Sequence, residues 1–207
     1  MEQVLDLYIK YGHRGYIGEE ITQFEHGVQA ALLAERYYKE CNNKLKYQLI
    51  LGALFHDIGH LLIYEDDTLQ KMGEVGVKDH ENLGADYLVS LGYPKLVSEL
   101  ARQHITTKRY LISTKKNYYE ELSEASKETF KYQGGYLNEG EIYFFEKDLY
   151  FNYHLTMRRF DDSAKSTDPK LLNYIKDSRP IEYYRNMILE LKRMLDKDKY
   201  KRMTITI

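Results

Sequence analysis

Seven histidines occur in the 207 residues, and five of them, His26, His56, His60, His80 and His104, fall in or beside segments of helical spacing. The densest cluster is His56-Asp57-Ile58-Gly59-His60, which follows the apolar run Leu49 to Phe55. Imidazole and carboxylate groups supply the nitrogen and oxygen donors that suit iron, manganese, nickel or zinc. With one cysteine, Cys41, the chain argues against a thiolate zinc site or an iron-sulfur centre. An adjacent His and Asp on one helix point about 100° apart, so both reach one ion only where it sits over the helix edge in a polar pocket. The plainer reading of such a doublet is a hydrogen-bonded core histidine with Asp57 capping a neighbouring group. Four further histidines, three of them on separate segments, and a glycine at 59 that permits close backbone approach, favour the metal.

The elements that must position these residues are helical. Only Pro94, Pro169 and Pro180 interrupt the chain, and no stretch alternates in the manner of a half-buried strand except the last residues, Met203 to Ile207, which could pair as an edge strand or fray. The spacing predicts helices over 2–10, 20–40, 44–59 and 80–91, one opened by Pro94, a short one over 120–132, one or two between 143 and 161, and a last one over 181–197. His26 belongs to the second and His56 to the inward stripe of the third, with His60 one turn later. His104 and, one turn beyond it, Lys108 belong to the Pro94 helix. The glycine-punctuated segment 11–18 and the segment 63–79 read as loops, and 162–169 as a linker inside one domain spanning 1–207.

Composition narrows the function classes. Forty-three percent apolar and 30% charged residues describe a folded, all-α globular chain, and a net charge of −2 gives no global attraction for nucleic acid or an anionic membrane. No apolar run approaches the roughly 20 residues of a membrane span, and no basic-then-apolar leader opens the chain. A lone cysteine fits a reducing, cytoplasmic setting.

The His56-Asp57 pair, with His26 before it and Asp161 late in the chain, resembles the metal-binding pattern of the HD-domain superfamily. Tyr16-Ile17-Gly18-Glu19, Gln23-Phe24-Glu25-His26, Phe55 to His60, Gly76-Val77, His80-Glu81, Gly84 to Tyr87, Lys108-Arg109-Tyr110-Leu111 and Tyr132-Gln133-Gly134-Gly135 are together similar to a narrower group, over roughly residues 11 to 190. That group is the mixed-valent di-iron phosphonate oxygenases of the PhnZ and TmpB type. The resemblance implies a helical bundle with two iron ions, Fe(II)/Fe(III) in the active state: one held by His26, His56 and Asp161, the other by His80 and His104, with Asp57 bridging. It implies dioxygen as co-substrate and oxidative C–P cleavage of a 1-hydroxyphosphonate. The expected substrate is 2-amino-1-hydroxyethylphosphonate, supplied by an upstream hydroxylase and giving phosphate and glycine.

The same resemblance gives Lys108, Arg158 and Ser126 to the phosphonate and His60 to the substrate side of the metals. Tyr16 would occupy an iron position until substrate arrives, and Glu19 would receive the substrate's ammonium. Taken as residues alone, Arg158 could instead pair with Asp161 along its helix, Lys108 could be a surface charge, Ser123 or Ser126 a helix cap, His60 a core histidine, and Tyr16 and Glu19 ordinary loop. A phosphohydrolase of nucleotides or small phosphate esters, and a non-catalytic HD module that binds a phosphorylated ligand, are the competing functions. Gln103, Thr106-Thr107 and Tyr136-Leu137 depart from the group's pattern at positions that bear on pocket width.

Overall fold

The computed structural model describes residues 1–16, 18–73 and 75–205, the side chains of 202–205 excepted. Eleven helices follow one another among them: α1 (Val4–Tyr11), α2 (Gln23–Tyr37), α3 (Asn43–Phe55), α4 (His80–Ser90), α5 (Lys95–Thr114), α6 (Tyr118–Glu121), α7 (Glu124–Tyr132), α8 (Glu139–Glu146), α9 (Phe151–Ser163), α10 (Pro169–Ser178) and α11 (Ile181–Ile205). A 3₁₀ segment, Ile58–Tyr64, joins α3 to α4. Among the described residues no sheet forms, only isolated bridges of Gly15 with Thr22 and of Lys71 with Val77.

Local chemistry sets most of the boundaries. Thr22 and Glu25 cap α2 reciprocally, Thr22 Oγ1 accepting from the Glu25 N–H at 3.1 Å while Glu25 Oε2 accepts from that of Thr22 at 2.7 Å. Asn42 caps α3, Asn138 and Glu141 form a second capping box on α8, and Asp168 followed by Pro169 opens α10. On α5 the buried positions 96, 97, 100, 101, 104, 105, 108 and 112 trace one inward stripe, apolar at first, into which His104 and Lys108 are set. Those two polar groups therefore face the interior and need partners there.

Two expectations are corrected. The third helix stops at Phe55 instead of running to Gly59: Asp57 leaves helical geometry at φ −103°, ψ 10°, and the chain tightens into the 3₁₀ turn. A Cβ on Gly59 would lie 1.9 Å from the His80 carbonyl oxygen, so this turn and the start of α4 touch backbone to backbone. The stretch 203–207, read as an edge strand or a frayed end, is helix through Ile205, with residues 206 and 207, like Ile17 of the Tyr16 motif, outside the described residues. The terminal helix docks on α3 and α1 through Tyr184, Met187, Ile188 and Leu191, and once it is anchored each further residue adds a hydrogen bond with no partner strand required.

α2, α3, α5 and α9 pack against one another, and α4 lies on α5 and on the 3₁₀ segment. The core runs through them from Val4 and Leu5 to Ile188 and Leu191. Its polar inclusions, His26, His56, Asp57, His80, His104, Lys108, Arg158 and Asp161, come from all of these elements and converge on one place. No helix among the described residues is long and apolar enough to cross a membrane.

Candidate metal centre and its cavity

Four buried imidazoles carry their proton on Nδ1, because each Nδ1 lies against a backbone carbonyl, which only accepts. His26 Nδ1 donates to Ala164 O at 2.9 Å, His56 to Ala53 O at 2.8 Å, His80 to Val77 O at 3.1 Å and His104 to Ala101 O at 2.6 Å. The Nε2 lone pairs are thereby turned on each other in two pairs, His26 with His56 and His80 with His104, each at 3.1 Å. Facing lone pairs at that distance require a cation between them, a metal ion or a second proton on one ring.

The carboxylates complete two sets. Asp57 Oδ2 lies 3.5 Å from both His26 Nε2 and His56 Nε2, while its Oδ1 lies 3.5 Å from His80 Nε2 and 3.2 Å from His104 Nε2. Asp161 Oδ1 is 3.4 Å from His26 Nε2 and 3.6 Å from His56 Nε2. Metal–ligand bonds of roughly 2.0–2.2 Å imply ligand–ligand edges of roughly 3.0–3.5 Å, so the donors present fit two ions. His26, His56, Asp57 and Asp161 form one group and Asp57, His80 and His104 the other. Asp57 can serve both because the helix has ended before it, which removes the divergence of adjacent helical side chains.

Electrostatics show the same demand. Burial opposes charge on His56, yet Asp57 and Asp161 outweigh it and push its pKa up to about 9. Burial alone would raise Asp161, but the Arg158 guanidinium and then His56 hold it well below the usual carboxylate range. Asp57 is likewise depressed against its burial by His56 and by hydrogen bonds from His104 and His80. Burial, then His80, keeps His60 neutral. Its ring stacks on His80 at 3.8 Å, and its Nδ1 accepts from the Val77 N–H at 3.1 Å. The remaining proton of His60 is therefore on Nε2.

A cavity of about 50 Å³ opens beside the two groups. Tyr16, His60, Lys108, Ser126 and Arg158, all singled out from the sequence, contribute to its wall, and Tyr16 stacks on His26 with centroids 3.8 Å apart. Arg158 spends its donors on this chain: Nη1 on Asp161 Oδ2 at 2.8 Å, Nη2 on Asp162 Oδ1, and Nε on the Tyr118 hydroxyl at 3.1 Å. The intrahelical pairing weighed for Arg158 is thus present, and it orients the Asp161 carboxylate. Lys108, 2% exposed, donates to Thr129 Oγ1 at 2.9 Å and to Ser126 O at 3.4 Å. Burial, then Arg158, brings its pKa down to about 7. Ser126 thus meets Lys108 through its carbonyl, and Ser123 caps α7. Glu19 does not line the cavity but sits behind it, bound by Lys165.

Sequence reasoning gave no site role to Thr129, Gln133 or Lys165, although Gln133 belongs to the quoted Gln133-Gly134-Gly135 turn. The first two continue the stripe begun by Ser126 at helical spacing, a signal that was available. Lys165 lies in the segment read as a linker and had no local signal. The Lys108-Arg109 and Gln133-Gly134-Gly135 motifs prove to be one unit: Arg109 Nε donates to Gly135 O at 2.8 Å and Nη2 to Gly134 O at 3.3 Å, which fastens the turn after α7 to α5.

The family model for the HD domain matches residues 24–131. The chain belongs to the HD-domain family, in the branch that contains phosphonate dioxygenases. It is 32% identical, over 84% of each chain, to the [1-hydroxy-2-(trimethylamino)ethyl]phosphonate dioxygenase (glycine-betaine-forming) of Leisingera caerulea. To the hydroxymethylphosphonate dioxygenase of Gimesia maris it is 36% identical, over 73% of this chain and 72% of that one. An uncharacterized protein of Acanthamoeba polyphaga mimivirus is 38% identical, over 90% of this chain and 79% of its own length.

Proposed function

We propose that this protein is a di-iron dioxygenase that cleaves the C–P bond of a 1-hydroxyphosphonate. One dioxygen is consumed, and phosphate and a carboxylic acid are released; 2-amino-1-hydroxyethylphosphonate and glycine are the pair expected from the sequence. The observation that carries the reading is the pair of facing Nε2 sets joined by Asp57, at the wall of a cavity that Lys108 and Arg158 also line. His26, His56, Asp57 and Asp161 would hold one iron and Asp57, His80 and His104 the other; the pair, when bound, supplies the redox chemistry with dioxygen.

The chain's own groups then divide the remaining work. Lys108 meets the phosphonate as an ammonium, and an arriving anion opposes the desolvation that lowers its pKa. Arg158 fixes Asp161 and adds positive potential at the same wall. His60, protonated at Nε2, offers a neutral donor on the substrate side. Tyr16, stacked on His26 in the cavity wall, limits entry of bulk water there.

Oxygen dependence tests the reaction class. Iron-loaded protein given a hydroxyphosphonate should consume one dioxygen per phosphate released and stop under argon. Phosphate release that continues without oxygen, with a preference for phosphate esters, would identify a hydrolase instead.

A further inference from the structure

Lys165 is built into the cavity wall beside the start of α7. Its backbone is clamped on both sides: Ala164 O accepts from His26 Nδ1, while Ser166 exchanges two hydrogen bonds with the Gln29 amide, at 2.9 and 3.0 Å. Its Nζ donates to Glu19 Oε1 at 3.0 Å and to Ser123 Oγ at 2.9 Å, tying the Tyr16 loop to the start of α7. The side chain still contributes to the cavity wall.

The charge balance that results is one-sided. Three cations, Lys108, Arg158 and Lys165, line the cavity. Among the described residues every carboxylate that lines the cavity or meets one of these cations is already engaged. Asp57 and Asp161 are turned to the histidines, Asp161 and Asp162 are held by Arg158, and Glu19 is held by Lys165. Gln133, also in the wall, carries a neutral amide acceptor, Oε1, without a hydrogen-bond partner among the described residues and suited to a hydroxyl. A substrate bearing an ammonium on its tail would meet Lys165 without a counter-charge, or would have to displace it from Glu19.

Resting on the dioxygenase reading, we infer that Lys165 selects hydroxyphosphonates whose C1 substituent carries no positive charge, being hydrogen, a short neutral group or an anionic one. Glu19 then serves to hold Lys165 and not to read a substrate ammonium, which reverses the primary-amine expectation drawn from the sequence. Lys165 is a specificity-determining residue.

The test compares two compounds of nearly the same shape, 1-hydroxypropylphosphonate and 2-amino-1-hydroxyethylphosphonate. Their affinities for iron-loaded protein are measured by calorimetry without oxygen, and kcat/KM is measured with oxygen. The parent should bind the neutral compound at least tenfold more tightly. Lys165→Gln, which frees Glu19, should shrink or invert that ratio, and Lys165→Arg should restore it. Tighter binding of the amine by the parent, or an equal ratio in parent and Lys165→Gln, overturns the proposal. So does failure of both compounds to bind. The calorimetric ratio reports on the tail independently of turnover: the expected ratio with no oxygen consumption would leave the selectivity standing and remove the dioxygenase reading.

Discussion

Replacing Lys108 with methionine should make the fold more stable and the site nearly useless. The ammonium is 2% exposed, and burial together with Arg158 lowers its pKa from 10.5 to about 7. Below pH 7 the folded chain carries this buried charge at a cost of about 5 kcal/mol, from 10.5 − 7 at about 1.36 kcal/mol per pKa unit. Between pH 7 and 10.5 the unfolded chain binds the extra proton, so this lysine makes parent stability rise with pH across that window, and its cost is gone above it. Methionine keeps the volume and loses the bonds to Thr129 and Ser126, roughly 1 kcal/mol each. The expected net gain is about 2–4 kcal/mol at pH 6.5, narrowing as pH rises. Urea midpoints of parent and variant, equally iron-loaded, at pH 6.5, 8 and 9.5 measure it. Phosphonate affinity should fall by about 10- to 150-fold, the loss of one hydrogen bond to a charged group. A variant no more stable than the parent at pH 6.5, with a gap that ignores pH, would refute the account of Lys108 as a destabilising charge kept for the anion.

Other outcomes follow from the same geometry. In the parent, affinity for the phosphonate should weaken as pH rises above about 7, where free Lys108 loses its proton; a flat profile to pH 9 would contradict this. Iron analysis and Mössbauer spectroscopy on anaerobic protein should find two coupled ions, His80→Ala removing mainly one and Asp57→Asn disturbing both. Gly59→Ala puts a methyl group 1.9 Å from the His80 carbonyl oxygen, so it should lower both thermal stability and iron retention at the His80 and His104 pair. Arg158→Gln removes the buried guanidinium that pairs with Asp161 and Asp162 and should cost about 3–5 kcal/mol in urea unfolding. Iron loss should also begin at higher pH than in the parent, because Asp161 is no longer held ionised.

The inward direction of several of these residues was legible in local periodicity, while the ligand set as a whole came from the family resemblance. His104 and Lys108 stand on the same i, i+4 stripe as Leu96 and Leu100, a pattern that favours the inward direction over the surface charge also weighed for Lys108. His56 sits at the end of an apolar run that had to be buried, whereas the capping box of Thr22 and Glu25, which starts the His26 helix at Gln23 and not at residue 20, went unread. The end of α3 at Phe55 was not legible, since helical propensity continues through His56; the contact between Gly59 and His80, between segments distant in sequence, decides it. The tail Met203 to Ile207 shows the converse, a local strand-like pattern whose described residues, through Ile205, are helix. Lys165 is the clearest case of all. Its segment has no periodicity, and only the packing of α2 against α9, which brings Gln29 to Ser166 and His26 to Ala164, carries its ammonium to Glu19 and Ser123. Short-range spacing therefore determined which residues face inward, while the charge that any one of them meets there was set by chain segments far away in sequence, through a Coulomb interaction that depends on distance in space alone.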